Sequence, residues 1–176
     1  LWRNTHCGNC GKGWSKMMKA KKPRHWAFAT LRQLGVLAAV VAAVFFLNTQ
    51  VLQVVYVPTG SMEPTLPSRS FAAGFRHPKD LKRYDIITFW QGDAVLVKRV
   101  IGLPGETIEV RDGHVYADGK RLKEDFCREP METEEGTWEV PEDSYFVLGD
   151  NRNHSTDSRR FGAVRQDDVI AKLWKW

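Results

Sequence analysis

Three stretches of this chain hold residue types that, brought together, could make and break an acyl bond. The first is Pro58-Thr59-Gly60-Ser61-Met62-Glu63-Pro64-Thr65-Leu66. Gly60 allows a substrate backbone to come close to Ser61. Pro58 and Pro64 narrow the conformations of the turn, which helps hold a nucleophile in one place. The second is Val95-Leu96-Val97-Lys98-Arg99-Val100-Ile101-Gly102-Leu103-Pro104-Gly105-Glu106, where Lys98 interrupts branched apolar residues. Strand alternation puts Leu96, Lys98 and Val100 on one face and Val97, Arg99 and Ile101 on the other. The third runs from Leu148 to Gly162 (LGDNRNHSTDSRRFG) and offers Asp/Arg pairs that would brace a site. Each has a plainer reading: an ordinary loop, an edge-strand lysine whose tip reaches water, and a solvated loop.

A serine hydroxyl is a weak nucleophile near neutral pH and needs a base beside it. An ordinary lysine, with a pKa of about 10.4, is protonated there and cannot serve. Burial against apolar groups brings a lysine down to roughly 7–8. Leu96 and Val100 are the neighbours that would desolvate Lys98. The competing arrangement is a Ser-His-Asp triad of Ser61, His154 and Asp157. His6, His25, His77 and His114 form no constellation.

The elements that would carry these residues read as β. Apolar, branched or aromatic runs at 51–57, 85–90, 95–101, 107–110, 144–148 and 169–174 have strand length. Asp112-Gly113 and Asp118-Gly119 mark the ends of a hairpin through Val115-Tyr116. Residues 123–143 are acidic, contain Pro130, Gly136 and Pro141, and read as an excursion from the core. The chain after Leu47 has no long helical period, so the expected class is mainly β, preceded by one apolar helix.

That helix is a candidate membrane span. Leu34 to Leu47 is uninterrupted apolar sequence, and the stretch from Trp26 to Leu47 would be about 33 Å long as a helix. Arg32 lies near its start, where its side chain can snorkel to the interface. Residues 1–62 carry eight basic and no acidic residues; the remainder carries eighteen basic against twenty-one acidic. The net charge of +5 therefore belongs to the segment before the span. This favours a membrane anchor over a nucleic-acid surface. The expected organisation is a basic cytoplasmic segment at 1–25, a transmembrane helix at 26–47, and an extracytoplasmic β domain at 48–176 with an excursion at about 111–143. No small-x-small cleavage site follows Leu47, which disfavours a removed signal peptide. Cys7 and Cys10 form one CxxC without a second pair, too little for a zinc site. In the expected topology Cys127 lies across the bilayer from them.

Taken in order, the three stretches resemble the boxes of the type I signal peptidase family, and Arg83-Tyr84-Asp85-Ile86-Ile87 resembles the strand between them. The likeness covers about Val54 to Gly162. It implies a signal-peptidase/SOS-repressor-like β fold with an N-terminal transmembrane helix. It further implies a membrane-bound serine endopeptidase that removes signal peptides through an acyl-enzyme, with no metal or organic cofactor. By resemblance, Ser61 is the nucleophile and Lys98 the general base. Thr59 supplies an oxyanion-hole hydroxyl alongside the Ser61 N–H, and Ser155 orients the lysine. Asp150, Arg152, Asp157 and Arg159 are supporting polar residues. Tyr84 departs from the glycine common at that position and puts the local turn in question. Lysine rather than histidine in the second box separates the chain from the endoplasmic-reticulum type. The implied partners are signal-peptide-bearing preproteins, the lipid bilayer and the secretion translocon, with no nucleic acid.

Val54, Tyr56 and Phe89 are candidate walls of the substrate pockets. Phe71, Phe75, Trp90, Trp174 and Trp176 suit either contact with the bilayer surface or a buried core. Three other readings compete. A Ser/Lys autoprotease of the SOS-repressor kind would need a DNA-binding helix-turn-helix where the apolar span lies. The others are a maturation peptidase dedicated to one partner and an anchored scaffold without activity.

Overall fold

The computed structural model describes residues 25–127, 129–132 and 135–174. Cys7 and Cys10, the basic cluster before residue 25 and Trp176 lie outside the described residues.

Two units are present, one up to Ala43 and one from Val44 onward. The first holds most of helix α1 (His25–Phe46). No charged residue follows Arg32 in it, and its apolar side chains from Phe28 to Phe46 are exposed on every side. A helix that is apolar all round suits a lipid environment. The stretch Phe28–Val51 is long and apolar enough to cross a membrane.

The second unit is built from two antiparallel sheets. The strands of the larger are β1 (Leu52–Val57), β2 (Ser70–Arg76), β3 (Ile86–Gln91), β4 (Ala94–Gly102), β9 (Ser144–Leu148), β10 (Val164–Arg165) and β11 (Val169–Leu173). They run in the order β1-β2-β11-β3-β4-β9-β10. The smaller sheet has β5 (Thr107–Arg111), β6 (His114–Ala117), β7 (Lys120–Arg121) and β8 (Gly136–Glu139), in the order β7-β6-β5-β8. The class is mainly β, as the strand-length runs predict. The Asp-Gly signals act as expected: Asp112 and Gly113 have φ of 49° and 74°, as do Asp118 and Gly119. They turn the chain into and out of β6.

Sequence patterning misses β2, β7, β8 and β10. In β2, Phe71 and Phe75 are exposed while Ala72 and Gly74 face the interior. A strand buried through its small residues gives a weak apolar signal. Gly74 is required there, because a Cβ would lie 2.0 Å from the Lys172 carbonyl oxygen on β11. The acidic segment 123–143 is not all excursion. Its Gly136–Glu139 stretch pairs with β5 as β8.

Three apolar clusters hold the unit together. Ile108, Val110, Val115 and Ala117 of the small sheet pack with Ile101, Phe146 and Leu148 of the large one. Ile87, Phe89, Val100, Val147 and Val169 form a second cluster. Val57, Met62, Leu66, Ala72, Ile86, Val97 and Leu173 form the third, beneath the chain that leaves β1. Phe146 is 1% exposed and its ring lies 5.3 Å from that of Trp138 on β8. Phe146→Ala should cost about 3–5 kcal/mol, because the rigid sheets cannot collapse into the gap. Chemical denaturation of the full chain in detergent measures this, and a loss under 1 kcal/mol would mean that the sheets do not share a core.

Candidate active site

The chain leaves β1 through Pro58 and folds into consecutive tight turns. The Glu63 N–H donates to the Gly60 carbonyl at 3.1 Å and the Leu66 N–H to the Met62 carbonyl at 2.9 Å. Met62 and Leu66 are buried in the cluster beneath. An apolar residue directly after Ser61 thus anchors the turn, and Ser61 itself stays half-buried.

Lys98 comes from β4. It lies opposite Ile87 of β3, so the two share a face. It is the last residue before β9 begins to pair with β4 at Arg99. The side chain is 4% exposed, and its Nζ donates to Oγ of Ser61 at 2.7 Å. Desolvation by burial pushes the amine below the ordinary lysine value. The charges of Asp157 and Asp150 act in the opposite direction, and Arg159 adds to the lowering. Thr59 Oγ1 lies 3.4 Å from Ser61 Oγ on the exposed side of the turn. Two hydroxyls and a largely buried amine therefore meet at one point.

The loop after β9 closes over this turn. Gly149 is needed because a Cβ would lie 2.2 Å from Ser155 Oγ and 2.6 Å from the Ser61 carbonyl oxygen. Asn151 holds the turn twice: its N–H donates to the Ser61 carbonyl and its Nδ2 to the Gly60 carbonyl, each at 3.1 Å. Asp157 caps the short helix α2 (Ser158–Phe161) and accepts from the Gly149 N–H at 3.0 Å and from Arg159 Nε at 2.8 Å. Ser155 Oγ is buried against Gly149 without a hydrogen-bond partner.

The four supporting residues pair in three ways. Asp157 binds Arg159 within the loop. Asp150 binds Arg99 of β4, accepting from Nε at 2.7 Å and Nη2 at 2.5 Å, with both side chains almost fully buried. Arg152 binds Glu124. Removing one partner of the fully buried Arg99–Asp150 pair should cost about 3–5 kcal/mol, since the other charge is left stranded.

Arg99, Asn151 and Glu124 are absent from the sequence-derived site. For Arg99 a signal was present. Two adjacent charges inside a strand with apolar residues on both faces cannot both reach water, so one needs a buried acidic partner. Tyr84 adopts φ 72°, the left-handed backbone a glycine would take. Its carbonyl accepts from Arg99 Nη1 at 2.9 Å, so the turn serves the same buried arginine. His154 is exposed, and the Asp157 carboxylate is occupied by Arg159 and the Gly149 N–H. The alternative triad therefore does not assemble.

Phe89 is 0% exposed in the core and cannot line a pocket, whereas Val54 and Tyr56 on β1 are exposed. Phe71, Phe75, Trp90 and Trp174 are exposed as well, so the buried-core alternative fails for them. Tyr56 packs against Phe71 at 5.3 Å and Phe75 against Trp174 at 5.1 Å between ring centroids.

A family model described as signal peptidase, peptidase S26, matches residues 30–175. A protein named "Probable signal peptidase I-2" from Synechocystis is 37% identical over 139 residues, spanning 73% of this chain and 64% of that protein. Signal peptidase I V of Bacillus subtilis is 36% identical over 167 residues, spanning 86% of this chain and 97% of its own length. The crystal structure of a signal peptidase I from Enterococcus faecalis V583 superposes with a TM-score of 0.50 at 40% identity. It covers 55% of this chain and 98% of that one.

The lowered Lys98 value has a consequence for stability. Between the folded and unfolded pKa the unfolded chain binds the extra proton, so stability rises with pH across that window. Lys98→Met should therefore stabilise the fold most at pH values below the folded-state pKa. The gain should shrink as pH climbs toward the unfolded value of about 10.4. Denaturation curves at a series of pH values check this, and a difference that did not vary with pH would contradict it.

Proposed function

The chain belongs to the signal peptidase family, peptidase S26, and from that premise we propose that it removes signal peptides from exported preproteins by Ser/Lys chemistry. The single observation carrying this reading is the 2.7 Å contact between the Lys98 amine, 4% exposed, and the Ser61 hydroxyl. Burial disfavours the charged amine. The neutral amine accepts the Ser61 proton as Oγ attacks the scissile carbonyl carbon. Thr59 Oγ1 and the Ser61 N–H stabilise the oxyanion. The carbon–nitrogen bond then breaks, and the lysinium returns its proton to the leaving amine. In the second half Lys98 takes a proton from water, the hydroxide attacks the acyl-enzyme, and the proton passes back to Ser61 Oγ. Ser155 Oγ, buried beside Gly149 without a hydrogen-bond partner, is a hydroxyl left available to the amine during turnover. Asp150, Arg152, Asp157 and Arg159 hold the roof of the site in place.

The membrane reading follows the same line. Residues 26–47 span the bilayer, with residues 1–25 cytoplasmic and residues 48–176 outside as the catalytic domain. The exposed aromatics Phe71, Phe75, Trp90 and Trp174 rest on the lipid surface, where signal peptides leave the translocon. Their exposure supports this, since such rings suit the interfacial zone.

Ser61→Ala and Lys98→Ala should each abolish cleavage of a reconstituted preprotein while the protein stays folded. Activity retained in Lys98→Ala would remove the dyad. Thr59→Val should lower kcat by about 10²-fold, the usual effect of losing one oxyanion donor. Single-turnover kinetics would show it, and an unchanged rate would take Thr59 out of the oxyanion hole.

A further inference from the structure

We propose that Glu124 and Phe126, in the segment between β7 and β8, are positioning residues for the Ser61 turn. They act through the two arginines that flank Asn151 in space. The Phe126 ring lies under the Arg99 guanidinium, 4.1 Å from its carbon to the ring centroid, and 5.9 Å from that of Arg152. Tyr84 packs on the same ring at 5.5 Å. Glu124 accepts from Arg152 Nη2 at 2.5 Å in a pair whose side chains are 2% and 11% exposed.

These two guanidinium groups hold the backbone on either side of Asn151. Arg99 grips the Asp150 carboxylate with two bonds, and Arg152 donates through Nε to the Gly149 carbonyl at 3.0 Å. Residues 149, 150 and 152 are thereby held, and residue 151 between them binds the carbonyls of Gly60 and Ser61. Arg99 also reaches the nucleophile segment directly, through Thr65 Oγ1 at 3.1 Å. A cation held against a ring and by a buried carboxylate has few alternative positions. The segment 122–127 thus locks the roof of the site, and the Ser61 turn inherits its position. Displacing such a turn by about 1 Å can cost 10²-fold in rate.

The kinetic part of this proposal rests on the Ser61/Lys98 reading, whereas the mechanical part does not. The test uses the full chain in detergent with Glu124→Gln, Phe126→Leu and Phe126→Tyr. It measures kcat and KM on a preprotein alongside amide-resolved hydrogen exchange. Glu124→Gln and Phe126→Leu should lower kcat by about tenfold or more with KM changed less than about twofold, and Phe126→Tyr should restore the rate. The Asn151 amide should exchange about tenfold faster in the first two variants, with amides in β3 and β9 unchanged. Unchanged protection at Asn151, or protection lost equally throughout the two sheets, would overturn the proposal. A wild-type protein that cleaves nothing would sink the peptidase reading instead, and the exchange result alone would then decide the brace.

Discussion

The site depends on keeping one amine dry beside one hydroxyl. In the proposed chemistry, water reaching Lys98 would protonate it near neutral pH and leave Ser61 without a base. The 2.7 Å contact is covered from several directions. The strand carrying Lys98 is central in its sheet, Met62 and Leu66 seal the turn from below, and the loop after β9 closes it from above. The acidic residues that stabilise this roof also oppose the desolvation, since Asp157 and Asp150 favour the charged amine.

Two sheets divide the labour. The large sheet supplies Lys98 from β4 and, after β1, the turn that carries Ser61. The small sheet packs on its flank, and the chain that links β7 to β8 runs back to the loop after β9 through Glu124 and Phe126. The Asn153 side chain adds two bonds to the same region, accepting from the Glu132 N–H and donating to the Pro130 carbonyl. A segment that reads as an excursion from the core is thus tied to the loop after β9 at several points.

Much of the site was legible in order along the chain. Ser61, Lys98 and the polar loop stand out because each breaks a local rule: a glycine-flanked serine between prolines, a lysine among branched apolar residues, a dense polar run after an apolar strand. The strands with large inward side chains were equally readable. The strand β2 was not, because it buries alanine and glycine and exposes phenylalanine. The roles of Arg99, Asn151 and Glu124 were also hidden. Their partners lie 51, 91 and 28 residues away, and no local pattern encodes a pairing across such a distance.

By itself the sequence determined the kinds of chemistry available, the mainly β class and the apolar helix with its basic flank, since periodicity and composition are local properties of the chain. The tertiary structure alone decided which hydroxyl meets which amine, that His154 stays outside the site, and that Asp150 answers to Arg99 rather than to a neighbour in its own loop. Burial, register and non-local pairing produce those outcomes, and they exist only once the sheets have closed.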